Sequence, residues 1–145
     1  MDSYWGNFPD IPAISAVEVW TAEKPEIIVC FGDSITQQST WTVLLERMLH
    51  DKGYKAVVLN AGIGGNRLLL GPPEPALQVF GPAAIHRFER DVLDVSGATA
   101  VIFALGTNDI GWIRRLEDIE TAGANAVFSG LRLLADKAHA KKLKV

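Results

Sequence analysis

The chain has 145 residues, 48% of them hydrophobic, with a mean hydropathy of +0.15 and a formal net charge of −3. That length and apolar content suffice to bury one core, which predicts a single globular domain and excludes a disordered or fibrous chain. Nucleic acid has little to hold beyond Lys141, Lys142 and Lys144; no run reaches the ~18 apolar residues of a membrane span, and the N-terminus lacks the basic and apolar regions of a secretory signal, which favours a soluble cytoplasmic protein.

Residues 1–25 read as an N-terminal extension: a loop through Asn7-Phe8-Pro9-Asp10-Ile11-Pro12, then a weak alternation through Ile14, Ala16, Glu18 and Trp20 that predicts a short leading strand. Residues 26–145 carry the domain proper. Ile27–Phe31 is a short apolar run stopped by Gly32, the pattern of a strand buried on both faces. The lone cysteine, Cys30, lies in that run; it excludes an internal disulfide and reads as a small buried hydrophobe. Trp41–Lys52 has apolar residues at 41, 44, 45, 48 and 49, a helical period, and ends at Gly53. Ala56–Leu59 and Ala100–Leu105 are two further buried-strand runs, ending at Asn60 and Gly106. Between them lie a Gly/Pro-rich loop over Gly71–Gly81 and a short helical segment near Ala83–Leu93. The last helix is expected over 122–140, with Leu143-Lys144-Val145 beginning a fourth strand. Strands alternating with helices predict an α/β chain: a three-layer α/β/α sandwich around a central parallel sheet.

In such sheets ligands bind beyond the carboxyl ends of the strands. Three loops there carry unusual residues: Gly32-Asp33-Ser34-Ile35-Thr36, Asn60-Ala61-Gly62-Ile63-Gly64-Gly65-Asn66-Arg67 and Gly106-Thr107-Asn108-Asp109. A serine at a strand-to-helix turn exposes its hydroxyl next to a helix N-terminus that favours negative charge. Acyl transfer through that serine needs preorganised donors for the oxyanion; the Gly65 N–H and the Asn108 amide are suitable. Each residue also has a plainer reading. Ser34 alone reads as a helix N-cap. The glycines could form a phosphate loop, but the dinucleotide pattern from Gly62 requires glycine where Arg67 stands. Asn108-Asp109 alone reads as an Asx turn. Asp33 and Asp109 are expected to hold loop backbones, and Arg67 either lines the pocket or pairs with a surface carboxylate. No cluster has metal-ligand spacing, and no organic cofactor is implied.

Together, in this order and each after its own strand, the three blocks resemble the SGNH/GDSL hydrolases. The resemblance covers roughly residues 26–145. It implies a flavodoxin-like fold, Ser34 as nucleophile, and an oxyanion hole from the Ser34 N–H, Gly65 N–H and Asn108 amide. Ala61–Leu69 with Gly81–Asp94, including Ile85, Arg87-Phe88 and Arg90-Asp91, resembles a bacterial branch acting on short-chain or acetyl carboxylic esters, so the implied partner is a small-molecule ester. The alternative is a non-catalytic, truncated relative that binds an ester or acetylated ligand or serves as an assembly fragment.

The family's final Asp-x-x-His block has no convincing counterpart. The histidines are His50, His86 and His139. Asp136-Lys137-Ala138-His139 matches formally, but it falls within the last helix, which delivers the chain to the amino edge of the sheet, opposite Ser34. His86 is the better pocket candidate of the other two. The domain is therefore expected to be incomplete at its C-terminus, with the Asp and His supplied by a separate C-terminal segment or a second chain. A sheet ending at Val145 leaves about three core side chains uncovered at ~1.5–3 kcal/mol each, a large part of a typical ~5–15 kcal/mol stability.

Overall fold

A computed structural model describes residues 17–113 and 118–145. The central element is β1, Glu26–Gly32, whose buried half is Val29–Gly32. On one side it pairs in parallel with β2, Ala56–Gly62, and on the other with β3, Ala100–Ala104, giving the order β2-β1-β3. Each strand is followed by a helix: α1 (Ser34–Gln37) and α2 (Thr40–Asp51) after β1, α3 (Ala84–Phe88) after β2, and α4 (Thr107–Gly111), α5 (Asp118–Ala122) and α6 (Ala124–Ala140) after β3. This is the expected α/β arrangement around a parallel sheet.

Alternation along the strands sorts the helices by face. Val29, Phe31 and Val101 point to one side, and there they meet Ala84 and Phe88 of α3 and Val127, Leu134 and Ala138 of α6 in a single core cluster. The buried residues of α6, Val127, Gly130, Leu134 and Ala138, recur every three or four positions, so one stripe faces the sheet. Phe31, Phe88 and Phe103 form an aromatic knot, with centroids 5.4 to 6.4 Å apart. Gly32 points to the opposite face, where Thr36 of α1 lies directly against it. On that flank α2 seals the open edge of β2: Glu46 Oε1 accepts from the Val58 N–H at 3.1 Å, and His50 Nε2 bonds the Ala56 carbonyl at 2.7 Å. Edge groups left unpaired would invite another chain.

Several elements differ from expectation. Residues 17–25 form no strand, and Val17, Val19 and Trp20 are exposed; the first half of the expected leading strand lies outside the described residues. The alternation there has no neighbouring strand to bind. Part of the Gly71–Gly81 loop is a 3₁₀ turn, Pro75–Phe80, opened by its proline and closed by Gly81. The segment after α3 widens into a π turn over Glu89–Leu93. The last helix begins at Ala124, after a break at Gly123. Leu44 and Met48 of α2, at 52% and 58% exposure, do not reach the core, and neither do Val57, Leu59 and Ile102 of the sheet. Lys144 makes a single parallel bridge to Ala100, so the fourth strand is present as one residue pair.

The stripe of α6 gives a direct contrast between neighbours. Leu134 is fully buried, whereas Leu133 is 49% exposed. Leu134→Ala should cost ~2–5 kcal/mol of unfolding free energy in a urea titration, and Leu133→Ala well under half of that. Equal losses would show that α6 docks on another face.

Candidate active site

The first block turns directly from strand to helix. Asp33 caps α1, its Oδ1 accepting from the Ile35 N–H at 3.0 Å, and its carbonyl accepts from Gln37 at 2.9 Å. Ser34 is thereby the first residue of α1, half-buried, at the carboxyl end of the central strand. The helix is too short for its dipole to matter much, and the Ile35, Thr36 and Gln37 N–H groups are all bonded to Asp33.

The second block crosses in front of it. The Ile63 N–H donates to the Gly32 carbonyl at 3.1 Å and keeps the loop against β1. Gly64 approaches Ser34 closely: a Cβ there would lie 4.0 Å from Ser34 Cβ and 2.6 Å from Gln37 Oε1. Gly65 has a φ of +71°, a left-handed conformation costly for any residue with a Cβ, and a Cβ on it would run into the Phe80 ring. Sequence reasoning singled out Gly65 but missed both Gly64 as the nearer neighbour and Phe80 as the wall behind Gly65. The doubled glycine was the available signal; nothing in the residues around position 80 announced the contact.

Asn108 belongs to α4, whose N-cap is Gly106. Its Nδ2 donates to the Asn66 carbonyl at 3.0 Å, joining the third block to the second. An amide NH₂ has two donor hydrogens, and this bond uses one of them. Asp109, fully buried, accepts from the Leu68 and Leu69 N–H groups at 2.6 and 2.9 Å. Asp33 and Asp109 thus hold loop backbones, as expected of them. Arg67 pairs with no carboxylate among the described residues: its Nε donates to the Gly71 carbonyl at 2.9 Å, and its Nη2 bonds the same oxygen, closing its own loop.

The largest buried side chain among the described residues is a cation, Arg87. It donates to the Gly32 carbonyl, the Ala61 carbonyl and Asn66 Oδ1, each at 3.0 Å, and to Asp91 Oδ2 at 2.9 Å. Its guanidinium carbon lies 4.1 Å from the Phe31 ring centroid, a cation–π contact. Asn66 spends its Nδ2 on the Phe80 and Pro82 carbonyls at 2.7 and 2.8 Å. Burial pulls the Arg87 pKa down against the pull of Asp91. Burial raises that of Asp91, but hydrogen bonds from Arg90 and Arg87 outweigh it and hold the carboxyl below its ordinary range.

The histidines are dispersed. His50 is bonded to Ala56, the first residue of β2, at the amino edge. His86 is exposed on α3. His139 is exposed in the last turn of α6, beside the buried Ala138, five residues before Lys144 pairs with the first residue of β3. The carboxyl end of the sheet, where Ala104 pairs with Gly32, is four residues farther along β3, about 13 Å at ~3.3 Å per residue. An open hollow bordered by Glu23, His50, Tyr54 and Lys55 lies at the amino edge as well, away from the three blocks. Among the described residues no group of three or more His, Cys, Asp or Glu could hold a metal ion, and no helix is long and apolar enough to cross a membrane.

The model of the GDSL-like lipase/acylhydrolase family matches residues 30–145. Among solved structures, the chain resembles the crystal structure of AlinE4, an SGNH-hydrolase family esterase, with a TM-score of 0.61 at 19% identity, covering 85% of this chain and 58% of that one. Two variants of the same esterase match over the same shares, with TM-scores of 0.61 and 0.55 at 19% and 15% identity. At these identities the likeness speaks for the fold, and the chain spans 58% of the length of these three structures. No curated protein matches.

Two outcomes follow from the loop geometry. Gly65→Ala should destabilise by at least ~1–2 kcal/mol for its positive φ alone, whereas Gly71→Ala, where a Cβ meets nothing within 4 Å, should stay within ~0.5 kcal/mol. Equal denaturation midpoints would show that the second block does not hold the left-handed turn. The depressed Asp91 carboxyl contributes stability that is present above its unfolded value near 3.8 and lost as pH falls through the lower folded value. The stability gap between the parent and Asp91→Asn should therefore narrow steadily below about pH 4; a gap independent of pH would remove the ion pair from the account.

Proposed function

The chain belongs to the GDSL-like lipase/acylhydrolase family, and on that premise we propose that it hydrolyses carboxylic esters, short-chain or acetyl ones, through an acyl-enzyme on Ser34. The observation that carries the reading is the convergence of three loops at one edge. Ser34 opens α1, Gly64 and Gly65 cross beside it, and Asn108 is tethered to the same loop through Asn66.

Ser34 Oγ attacks the ester carbonyl carbon and passes its proton to a base, and the carbonyl π electrons move onto oxygen. The Ser34 N–H, the Gly65 N–H and the second hydrogen of the Asn108 amide receive that oxyanion. Collapse expels the alcohol, which recovers the proton from the base, and water then releases the acid by the same steps in reverse. We assign the base to a histidine, oriented by an aspartate, on a further segment or a second chain. His50 and His139 belong to the amino edge, and His86 faces solvent. The reaction calls for no metal or organic cofactor, and the substrate is a small ester.

In the full-length protein, Ser34→Ala should remove p-nitrophenyl acetate hydrolysis to within a few per cent of the background, and Asn108→Ala should lower kcat by ~10²–10³ with little change in KM, because the amide serves the developing charge. His139→Ala should leave the rate unchanged. A Ser34→Ala protein that still turns over would refute the nucleophile. A parent that neither turns over nor reacts with a fluorophosphonate would favour the non-catalytic ligand-binding relative.

A further inference from the structure

Arg87 is unusual by its chemistry. A guanidinium on a surface helix stays hydrated, but one that is 2% exposed has to satisfy its donors inside the protein. The acceptors it finds come from separate segments, and three of them adjoin the groups assigned above to the reaction. The Gly32 carbonyl is two residues before Ser34; the Ala61 carbonyl leads into the glycines of the second block; Asn66 follows Gly65 directly. Asn66 then extends the reach of Arg87 by one bond, since its own carbonyl receives the Asn108 amide. Asp91 anchors the guanidinium from outside, one helical turn away.

We infer that Arg87 is a positioning residue for ester hydrolysis, setting through Gly32 and Asn66 the spacing of the Ser34 N–H, the Gly65 N–H and the Asn108 amide. The inference rests on the proposed esterase reading. Oxyanion donors have to converge on one point from ~2.7–3.1 Å, and a displacement of about 1 Å can cost ~10² in rate. A planar fork with donors in fixed directions can hold the Gly32 carbonyl and Asn66 at once. A lysine ammonium on its flexible stem holds one of them at a time.

The test uses the full-length protein, p-nitrophenyl acetate as substrate, and a fluorophosphonate titration run to completion, so that kcat is expressed per reactive serine. This normalisation removes the loss that a merely unfolded fraction would produce. Arg87→Lys should lower kcat per site by ~10²-fold while KM moves less than about threefold. In Arg87→Ala, millimolar ethylguanidinium should restore part of kcat, without affecting the parent. Asp91→Asn, which keeps the guanidinium but removes its anchor, should show a smaller loss, again in kcat, and it decides the matter should Arg87→Lys fail to fold. A kcat per site within twofold of the parent, or a change confined to KM, overturns the inference. A parent with no turnover overturns the esterase reading, and the inference with it; turnover that survives these replacements overturns the inference alone.

Discussion

The buried guanidinium of Arg87 is the constraint on which the carboxyl edge of this sheet depends. A cation inside the protein is tolerated only when its donors are satisfied, and removing one partner of a buried pair typically costs ~3–5 kcal/mol. Four segments answer that demand: the ends of β1 and β2 through Gly32 and Ala61, the second block through Asn66, and the π turn through Asp91. Asp91 lies four residues on, in the π turn after α3, and Phe31 offers its ring face to the same cation. Backbone at a loop edge would otherwise be the loosest part of an α/β domain. Here it is tied to the aromatic knot beneath it, and Asp109 repeats the device on the other side by holding Leu68 and Leu69.

Much of this was legible in the residues, and the parts that were not have physical reasons. The three strands announce themselves as short apolar runs ended by glycine or asparagine, and the carboxyl-edge rule then points to the loops that matter. Asp33 is legible because a short carboxylate directly after a strand has the next backbone N–H groups within reach; the partners of Asp109, Leu68 and Leu69, are distant in sequence and are not. Nor is Arg87. Its i,i+4 relation to Asp91 looks like an exposed helical ion pair, and only the way α3 packs under the second block turns it inward. The apolar period of α2 identified a helix but not its neighbours: Leu44 and Met48 keep the period and stay exposed, because periodicity says nothing about what lies opposite. The alternation through Glu18 and Trp20 misled for the same reason, since a strand needs an edge to pair with.

The proposed site is therefore a set of donors arranged by long-range bonds around one hydroxyl, rather than a motif sufficient in itself. Gly64 supplies the close approach to Ser34, while Gly65 supplies the turn that Phe80 backs. Local sequence has to allow those conformations, and tertiary bonds select them. The histidines illustrate the converse: Asp136 and His139 have the spacing of a catalytic pair, but α6 carries them to the amino edge, because that is where the chain must return to begin the next parallel strand.

The most direct measurement is a crystal structure of the protein after reaction with a fluorophosphonate. The account predicts a single adduct on Ser34 Oγ, with the phosphoryl oxygen ~2.7–3.1 Å from the Ser34 N–H nitrogen, the Gly65 N–H nitrogen and Asn108 Nδ2. An adduct on another residue, or one on Ser34 whose phosphoryl oxygen faces solvent with none of these donors, would contradict it.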